Sequence, residues 1–181
     1  MQTYAETCGP HSRRARWRRP AALPAVVLAA ALSLAPAASG ADEGTRMTLR
    51  HEPRAILDTV ARSMNVTLRA DEPLPEIHFE SRTSLARFQD AVAPQWRFRP
   101  PMIANVYVIA RNEIYLIDDA QYYRRMQRTL DESLAHEYAH YLQVRYFGAD
   151  LSDETCETAA VAAQFAFREH HLAQSAGVGP G

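Results

Sequence analysis

The segment TLDESLAHEYAHYLQVRYFG, from Thr129 to Gly148, constrains the fold of this chain more than any other. Thr129 is followed three residues later by Glu132, a spacing that starts a helix by capping its free backbone N–H groups. Gly148 is suited to end the same helix, because glycine adopts the left-handed conformation of a helix C-terminus without steric cost. The sequence therefore predicts one helix from Thr129 to Phe147.

This predicted helix has two different sides. At about 100° per residue, Leu134, Tyr138, Tyr141 and Leu142 fall opposite His136. An apolar side of this kind packs against a core. We therefore expect the four apolar side chains to be buried and His136 to face a different environment.

The rest of the chain alternates shorter patterns. Apolar spacing predicts a helix over Pro53–Met64 and a second over Ser84–Val92, stopped by Pro94. The stretches NVTLRA (65–70) and PEIHFES (75–81) are strand candidates.

A hairpin and further helices are predicted in the second half of the chain. The polar triplet RNE (111–113) separates two runs rich in β-formers, Val106–Ala110 and Ile114–Ile117. Helical patterns cover Gln121–Arg128 and Ser152–His171. The predicted fold is α+β, with a small antiparallel sheet followed by a helical C-terminal half.

The N-terminal 40 residues have the pattern of a secretory signal. The basic run RRARWRR precedes AALPAVVLAAALSLAPAASGA, an apolar stretch that ends in small residues. Its apolar run, from Ala21 to about Ala35, is shorter than the ~20 apolar residues that cross a bilayer, so cleavage is expected rather than stable membrane insertion. We predict a signal peptide over residues 1–40, a single domain over 41–181, and export to the periplasm or the extracellular space.

Charge argues against a nucleic-acid partner. Of the 20 arginines, five lie in the first 40 residues, as does one of the 21 acidic residues, so 15 arginines and 20 acids remain in residues 41–181. A nucleic-acid-binding domain needs a basic face instead.

The letters HEYAH (136–140) form a candidate metal site. His136 and His140 lie four residues apart, so on a helix their imidazoles stack on one side and can share one Zn²⁺. Glu137 lies about 100° around the helix from His136, within reach of a water on such a metal. The spacing therefore pairs a Lewis acid with a general base.

The motif resembles that of the HExxH zincin metallopeptidases. The metzincin branch requires glycine at 143 and histidine at 146, where this chain has Gln143 and Tyr146. The chain is more similar to the gluzincin branch, in a small single-domain form, whose third ligand is a glutamate of the next helix in an E-x-x-A pattern. ETCETAA offers Glu154 and Glu157. A first-turn position explains Glu154 by helix capping, whereas Glu157 is expected beyond the first turn and is favoured as the ligand.

The resemblance implies a zinc-dependent peptidase acting on peptides or proteins. His136, His140 and Glu157 would bind Zn²⁺, and Glu137 would act as general base toward a metal-activated water. The family also implies that the strand before the metal helix, Glu113–Asp118, lies at the edge of the cleft and pairs with an extended peptide.

Two points stay open at the level of sequence. An oxyanion-stabilising residue is expected, and the spacing does not select among Tyr146, His170 and His171. The alternative function is an exported zinc-binding or interaction module that keeps the ligands without catalysis.

Overall fold

The computed structural model describes residues 46–177, which form a small mixed α+β domain with five helices and a three-stranded sheet. The predicted signal peptide over 1–40 lies outside the described residues. The elements in chain order are helix α1 (Pro53–Ser63), strand β1 (Glu76–Phe79) with a 3₁₀ turn (Glu80–Arg82), helix α2 (Leu85–Trp96), strands β2 (Val106–Val108) and β3 (Glu113–Leu116), and helices α3 (Ala120–Met126), α4 (Leu130–Phe147) and α5 (Glu154–Gly177). Among these residues, every helix is too short or too polar to span a lipid bilayer.

The sheet has the strand order β1-β3-β2. The predicted hairpin is confirmed, because β2 and β3 pair antiparallel and Asn112 takes the positive φ of 52° that closes the turn. The expectation of an antiparallel sheet is wrong for β1, which pairs parallel to β3 after the chain crosses over through α2. The expectation that Glu113–Asp118 pairs with an extended peptide is also wrong for β3, since this strand has a neighbouring strand on both sides.

The strand predicted over 65–70 does not form. Asn65 has a φ of 56°, and the N–H of Val66 donates to the carbonyl of Ala61 at 2.8 Å, so the chain turns sharply at the end of α1. The segment then packs Val66 and Leu68 against the core without a neighbouring strand. Alternating β-formers here serve packing rather than sheet pairing.

Helix α2 continues through Pro94, where the sequence predicted its end. Ser84 caps the helix, and proline removes the N–H that would bond to the carbonyl of Asp90. The guanidinium of Arg111 donates to that carbonyl at 3.2 Å instead. The helix therefore extends to Trp96 and ends at Arg97, which has a φ of 61°.

The sheet separates two apolar layers, because successive strand residues point to opposite faces. On one face, Tyr107, Ile114 and Leu116 pack with helices α1, α4 and α5 in the main core. On the other face, Val106, Val108 and Tyr115 pack against α2. Helix α4 is thus enclosed between the sheet and two helices. The four side chains predicted to face the core, Leu134, Tyr138, Tyr141 and Leu142, are all buried.

Both ends of α4 form as the sequence predicted. Thr129 accepts from the N–H of Glu132 at 3.2 Å, and Gly148 has a φ of 62° at the C-terminus. The carboxylate of Glu132 does not return to the cap, because it pairs with Arg168 of α5. The side chain expected to complete the cap therefore joins two helices.

Asp131 attaches the segment before α1 to the first turn of α4. Its buried carboxylate accepts from the N–H groups of Arg50 and His51 at 3.0 and 2.9 Å and contacts His51 Nδ1 at 2.9 Å. The carboxylate also lies at a helix N-terminus, where the helix dipole favours negative charge. One side chain therefore satisfies several groups that a shorter residue would leave without partners.

We expect Asp131→Ala to lower the free energy of unfolding by about 2–3 kcal/mol, because it removes a buried carboxylate that accepts hydrogen bonds from two backbone N–H groups. Asp90→Ala is a suitable control, since Asp90 pairs with Arg99 on the exposed surface and such pairs contribute about 0–1 kcal/mol. Urea denaturation followed by circular dichroism measures both. Equal losses in the two variants would contradict the role given to Asp131.

Candidate metal centre

Three predicted ligands converge between α4 and α5. The Nε2 atoms of His136 and His140 lie 3.1 Å apart, one helical turn from each other. Glu157 of α5 places one oxygen 3.4 Å from His136 Nε2 and the other 3.3 Å from His140 Nε2. One donor atom from each residue lies within 4.8 Å of the others. The predicted ligand set therefore forms one group.

Glu157, and not Glu154, belongs to this group. Asp153 caps α5 by accepting from the N–H of Thr155 at 2.9 Å, so the helix begins at Glu154. Both acids then lie in the first turn, and the expectation that Glu157 lies beyond it is wrong. Membership of the first turn therefore does not separate the two carboxylates, and only Glu157 lies within reach of the two histidines.

The donor spacing fits a tetrahedral metal ion. Ligand atoms about 2.1 Å from a zinc ion at tetrahedral angles are separated from one another by roughly 3.4 Å. The two imidazole nitrogens lie 3.1 Å apart, and one oxygen of Glu157 lies 3.4 Å from His136 Nε2 while its other oxygen lies 3.3 Å from His140 Nε2. Two imidazoles and a carboxylate are also a donor set that zinc accepts. The residues present therefore fit this metal.

Gln143 determines which nitrogen of His140 is free to bind a metal. Its Nε2 donates to the carbonyl of Cys156 at 2.8 Å, and a carbonyl can only accept. Its Oε1 must then face His140 Nδ1, which lies 2.8 Å away and has to carry the proton. In the neutral ring, Nε2 is left with a lone pair directed at the ligand group. The buried Gln143 thus acts as a positioning residue.

His136 differs from His140 in its surroundings. Its Nδ1 is buried without a hydrogen-bond partner among the described residues. Burial lowers the pKa of His136 to about 4, and the charges of His140 and Arg128 act in the same direction. Burial also acts to lower the pKa of His140, but the hydrogen bond with Glu157 and the charge of Glu137 raise it overall. His136 is therefore neutral at physiological pH and does not need to lose a proton before binding a metal.

Glu137 is a buried carboxylate beside this group, with 4% of its surface exposed. Burial raises its pKa to about 7, although the charge of His140 and the nearby backbone N–H of Tyr107 act in the opposite direction. Among the described residues, no arginine pairs with it. The carboxylate is therefore available to exchange a proton near neutral pH.

A cavity of about 370 Å³ opens onto these residues. Its volume lies at the lower end of the roughly 300–1,000 Å³ typical of small-molecule sites. The lining residues are Met102, Ile103, Ala104, Asn105, Ile117, Tyr122, Arg128, Ser133, His136, Glu137 and Glu157. The candidate general base and two candidate ligands thus share one accessible space.

The edge strand beside this helix is β2, and its backbone is partly occupied. Gln95 of α2 donates from Nε2 to the carbonyl of Tyr107 at 3.1 Å and accepts from the N–H of Ile109 at 3.1 Å. A peptide that adds to a sheet edge needs such groups free. The side chain of Gln95 therefore limits how far an extended chain can pair along β2.

The three oxyanion candidates named from sequence do not line the cavity. The hydroxyl of Tyr146 accepts from the N–H of Arg69 at 3.1 Å. His171 lies with its ring 4.0 Å from that of His51, and His170 lies beside it. The residues that sequence reasoning missed are Gln143, three residues after His140 on the same helix, and Arg128. Only Gln143 had a spacing signal that could have identified it.

A second group of potential ligands, Glu76, His78 and Glu113, lies at the start of β1 and β3. The guanidinium of Arg87 contacts His78 Nε2 at 3.1 Å and donates to Glu113 at 3.2 Å. Tyr115 donates to the other oxygen of Glu113 at 2.7 Å. A cation and a hydroxyl thus already contact the potential ligand atoms of His78 and Glu113. These contacts make the group an ion-pair network.

In comparisons with known proteins, no family model, no curated protein and no solved structure matched this chain.

We expect the metal-free protein to bind one Zn²⁺ per chain in a calorimetric titration. Glu157→Gln should weaken that binding by at least tenfold, because an amide is a poorer zinc ligand than a carboxylate. Glu154→Gln, one turn away and exposed, should bind as the wild type does. A stoichiometry of two, or equal effects of the two variants, would contradict this assignment.

Replacing Gln143 with Leu should reduce zinc affinity about 10–100-fold, the usual effect of losing a partner that orients a histidine ligand. Gln164→Leu provides a matched control, because Gln164 is also a buried glutamine of this domain but its amide has no hydrogen-bond partner in the described structure. The comparison is made in a competition assay with a chromophoric chelator. If both variants bound zinc equally well, Gln143 would have no positioning role.

Proposed function

We propose that this protein is an exported zinc-dependent peptidase that hydrolyses peptide bonds. The observation that carries the proposal is the convergence of His136, His140 and Glu157 with the buried Glu137 at one cavity. The basic and apolar pattern of the N-terminal sequence supports export.

His136 and His140 would hold the metal through Nε2, and Glu157 would hold it through its carboxylate. Zinc bound by three protein ligands supplies a Lewis acid that polarises a carbonyl and lowers the pKa of a bound water to about 7. Gln143 keeps the His140 ring in the tautomer that this role requires.

Glu137 would transfer the proton of the hydrolytic water. As the water oxygen bonds to the peptide carbonyl carbon, the carboxylate takes the proton, and it delivers the proton to the nitrogen when the C–N bond breaks. The products are a carboxylic acid and an amine, so no other reactant is needed. Glu137 lies at the cavity and pairs with no arginine of the described part of the chain, which supports this role.

The alternative is a zinc-binding module that keeps the ligands without catalysis. A binding module needs the two histidines and Glu157, but it has no use for a buried acid beside them. Burial of an unpaired carboxylate costs stability, and such groups concentrate at functional sites. The presence of Glu137 in the cavity favours the enzyme.

Glu137→Gln should keep the bound zinc and reduce peptide hydrolysis by about 10²–10⁴-fold, the usual contribution of a general base. Hydrolysis is followed with a fluorogenic peptide library, and zinc content by atomic absorption. Glu154→Gln serves as the control for removing a carboxylate. Unchanged turnover in Glu137→Gln would remove Glu137 from this role, and a zinc-loaded wild type without any turnover would support the binding module.

A further inference from the structure

Arg128 is a cation in the candidate cleft that forms no ion pair with any acidic residue in the described part of the chain. It precedes the cap of α4, is half-buried, and lines the same cavity as His136, Glu137 and Glu157. Its guanidinium makes no ion pair and no side-chain hydrogen bond with any described residue. Two other arginines that contact α4 or belong to it have acidic partners, since Arg145 pairs with Glu72 and Arg168 pairs with Glu132.

An unpaired guanidinium in a partly buried site favours an anionic ligand. Its planar group presents paired N–H donors that match the two oxygens of a carboxylate. Shielding from water strengthens such a contact relative to one on an open surface. Arg128 and His136 line the same cavity, so the cation and the ligand group border one space.

The shape of the cleft indicates where that anion lies on a substrate. The cavity of about 370 Å³ has room for a short piece of peptide rather than a long extended chain. Gln95 already occupies the backbone groups of Tyr107 and Ile109 at the sheet edge. Recognition of a peptide by strand addition is therefore limited. A charged end of the peptide can instead contact the guanidinium of Arg128 in the cleft.

We propose that Arg128 binds the free C-terminal carboxylate of a peptide, so that the substrates are peptides cleaved near their carboxyl end. This inference rests on the proposed peptidase function. The hydrolytic step is the one given above: water adds to the carbonyl carbon, the C–N bond breaks, and the amine leaves as a free amino acid or a short peptide. Arg128 contacts the leaving portion and determines specificity. The apolar side chains of Met102, Ile103 and Ile117 line the same space.

Binding of two matched peptides tests this role without requiring turnover. The zinc-loaded full chain carrying Glu137→Gln is titrated with an N-acetylated apolar tripeptide, as the free acid and as the C-terminal amide. We expect the acid to bind at least tenfold more tightly, because hydrogen bonds to charged groups contribute strongly to affinity. Adding Arg128→Gln should abolish this preference and leave the affinity for the amide unchanged, and Arg128→Lys should retain part of it.

Arg124→Gln is the matched control, because Arg124 is an exposed arginine of α3 outside the cavity lining. Zinc content and circular dichroism verify that each variant is folded. Equal affinity for acid and amide, binding of neither peptide, or a preference that persists in Arg128→Gln would overturn the inference. In protein that retains Glu137, equal loss of turnover on both peptides in Arg128→Gln, with binding unchanged, would also overturn the inference, because it would place Arg128 at the oxyanion.

The two proposals fail in different ways. Wild-type hydrolysis without a preference for the free acid would overturn the role of Arg128 alone. An Arg128-dependent preference for the free acid in a protein that never hydrolyses peptides would overturn the peptidase and leave a carboxylate-binding site.

Discussion

The burial of helix α4 is the constraint on which the rest of this structure depends. Twelve of its 18 residues are buried, and several of them are polar. A buried polar group is costly unless it has a partner, so each of these side chains must be matched by a neighbouring element. Asp131 is matched by the segment before α1, Glu132 by Arg168, and Gln143 by the backbone of α5. The polar residues of α4 therefore fasten the surrounding chain to the helix.

Two other polar residues of α4, His136 and Glu137, differ from Asp131, Glu132 and Gln143 in their partners. Within residues 46–177, His136 has a buried nitrogen without a hydrogen-bond partner, and Glu137 pairs with no arginine. A helix built only for stability would place apolar residues at these positions, because removing a buried ionisable group in favour of good packing is often neutral or stabilising. Polar residues that are expensive to bury and are not used to join elements mark a site with chemistry. The burial of His136 Nδ1 and Glu137 thus supports a metal-binding site independently of the spacing of the motif.

Sequence reasoning succeeded where the signal was local and failed where it depended on a distant partner. Thr129, Gly148 and the turn at Asn112 act on their own backbone, so the ends of α4 and the hairpin were predictable. The passage of α2 through Pro94 was not, since it depends on Arg111 from the hairpin turn. The central position of β3 was missed because pairing with β1 joins residues far apart in sequence. The candidate ligands His136 and His140 were predictable from helical spacing and Glu157 from the family resemblance, whereas Arg128 has no motif and becomes visible only through the cavity that it lines.

The geometry of the ligand group is a property of the fold, because contacts outside the group fix how α4 and α5 lie against each other. The small residues Ala159, Ala160 and Ala163 are buried and permit close approach of the two helices. The contact from Gln143 to the carbonyl of Cys156 then sets the position of α5 one residue before Glu157. The same amide holds His140, so one side chain places a ligand from each helix. A change in the packing of α5 is therefore expected to alter the geometry of the candidate ligands even when all three are kept.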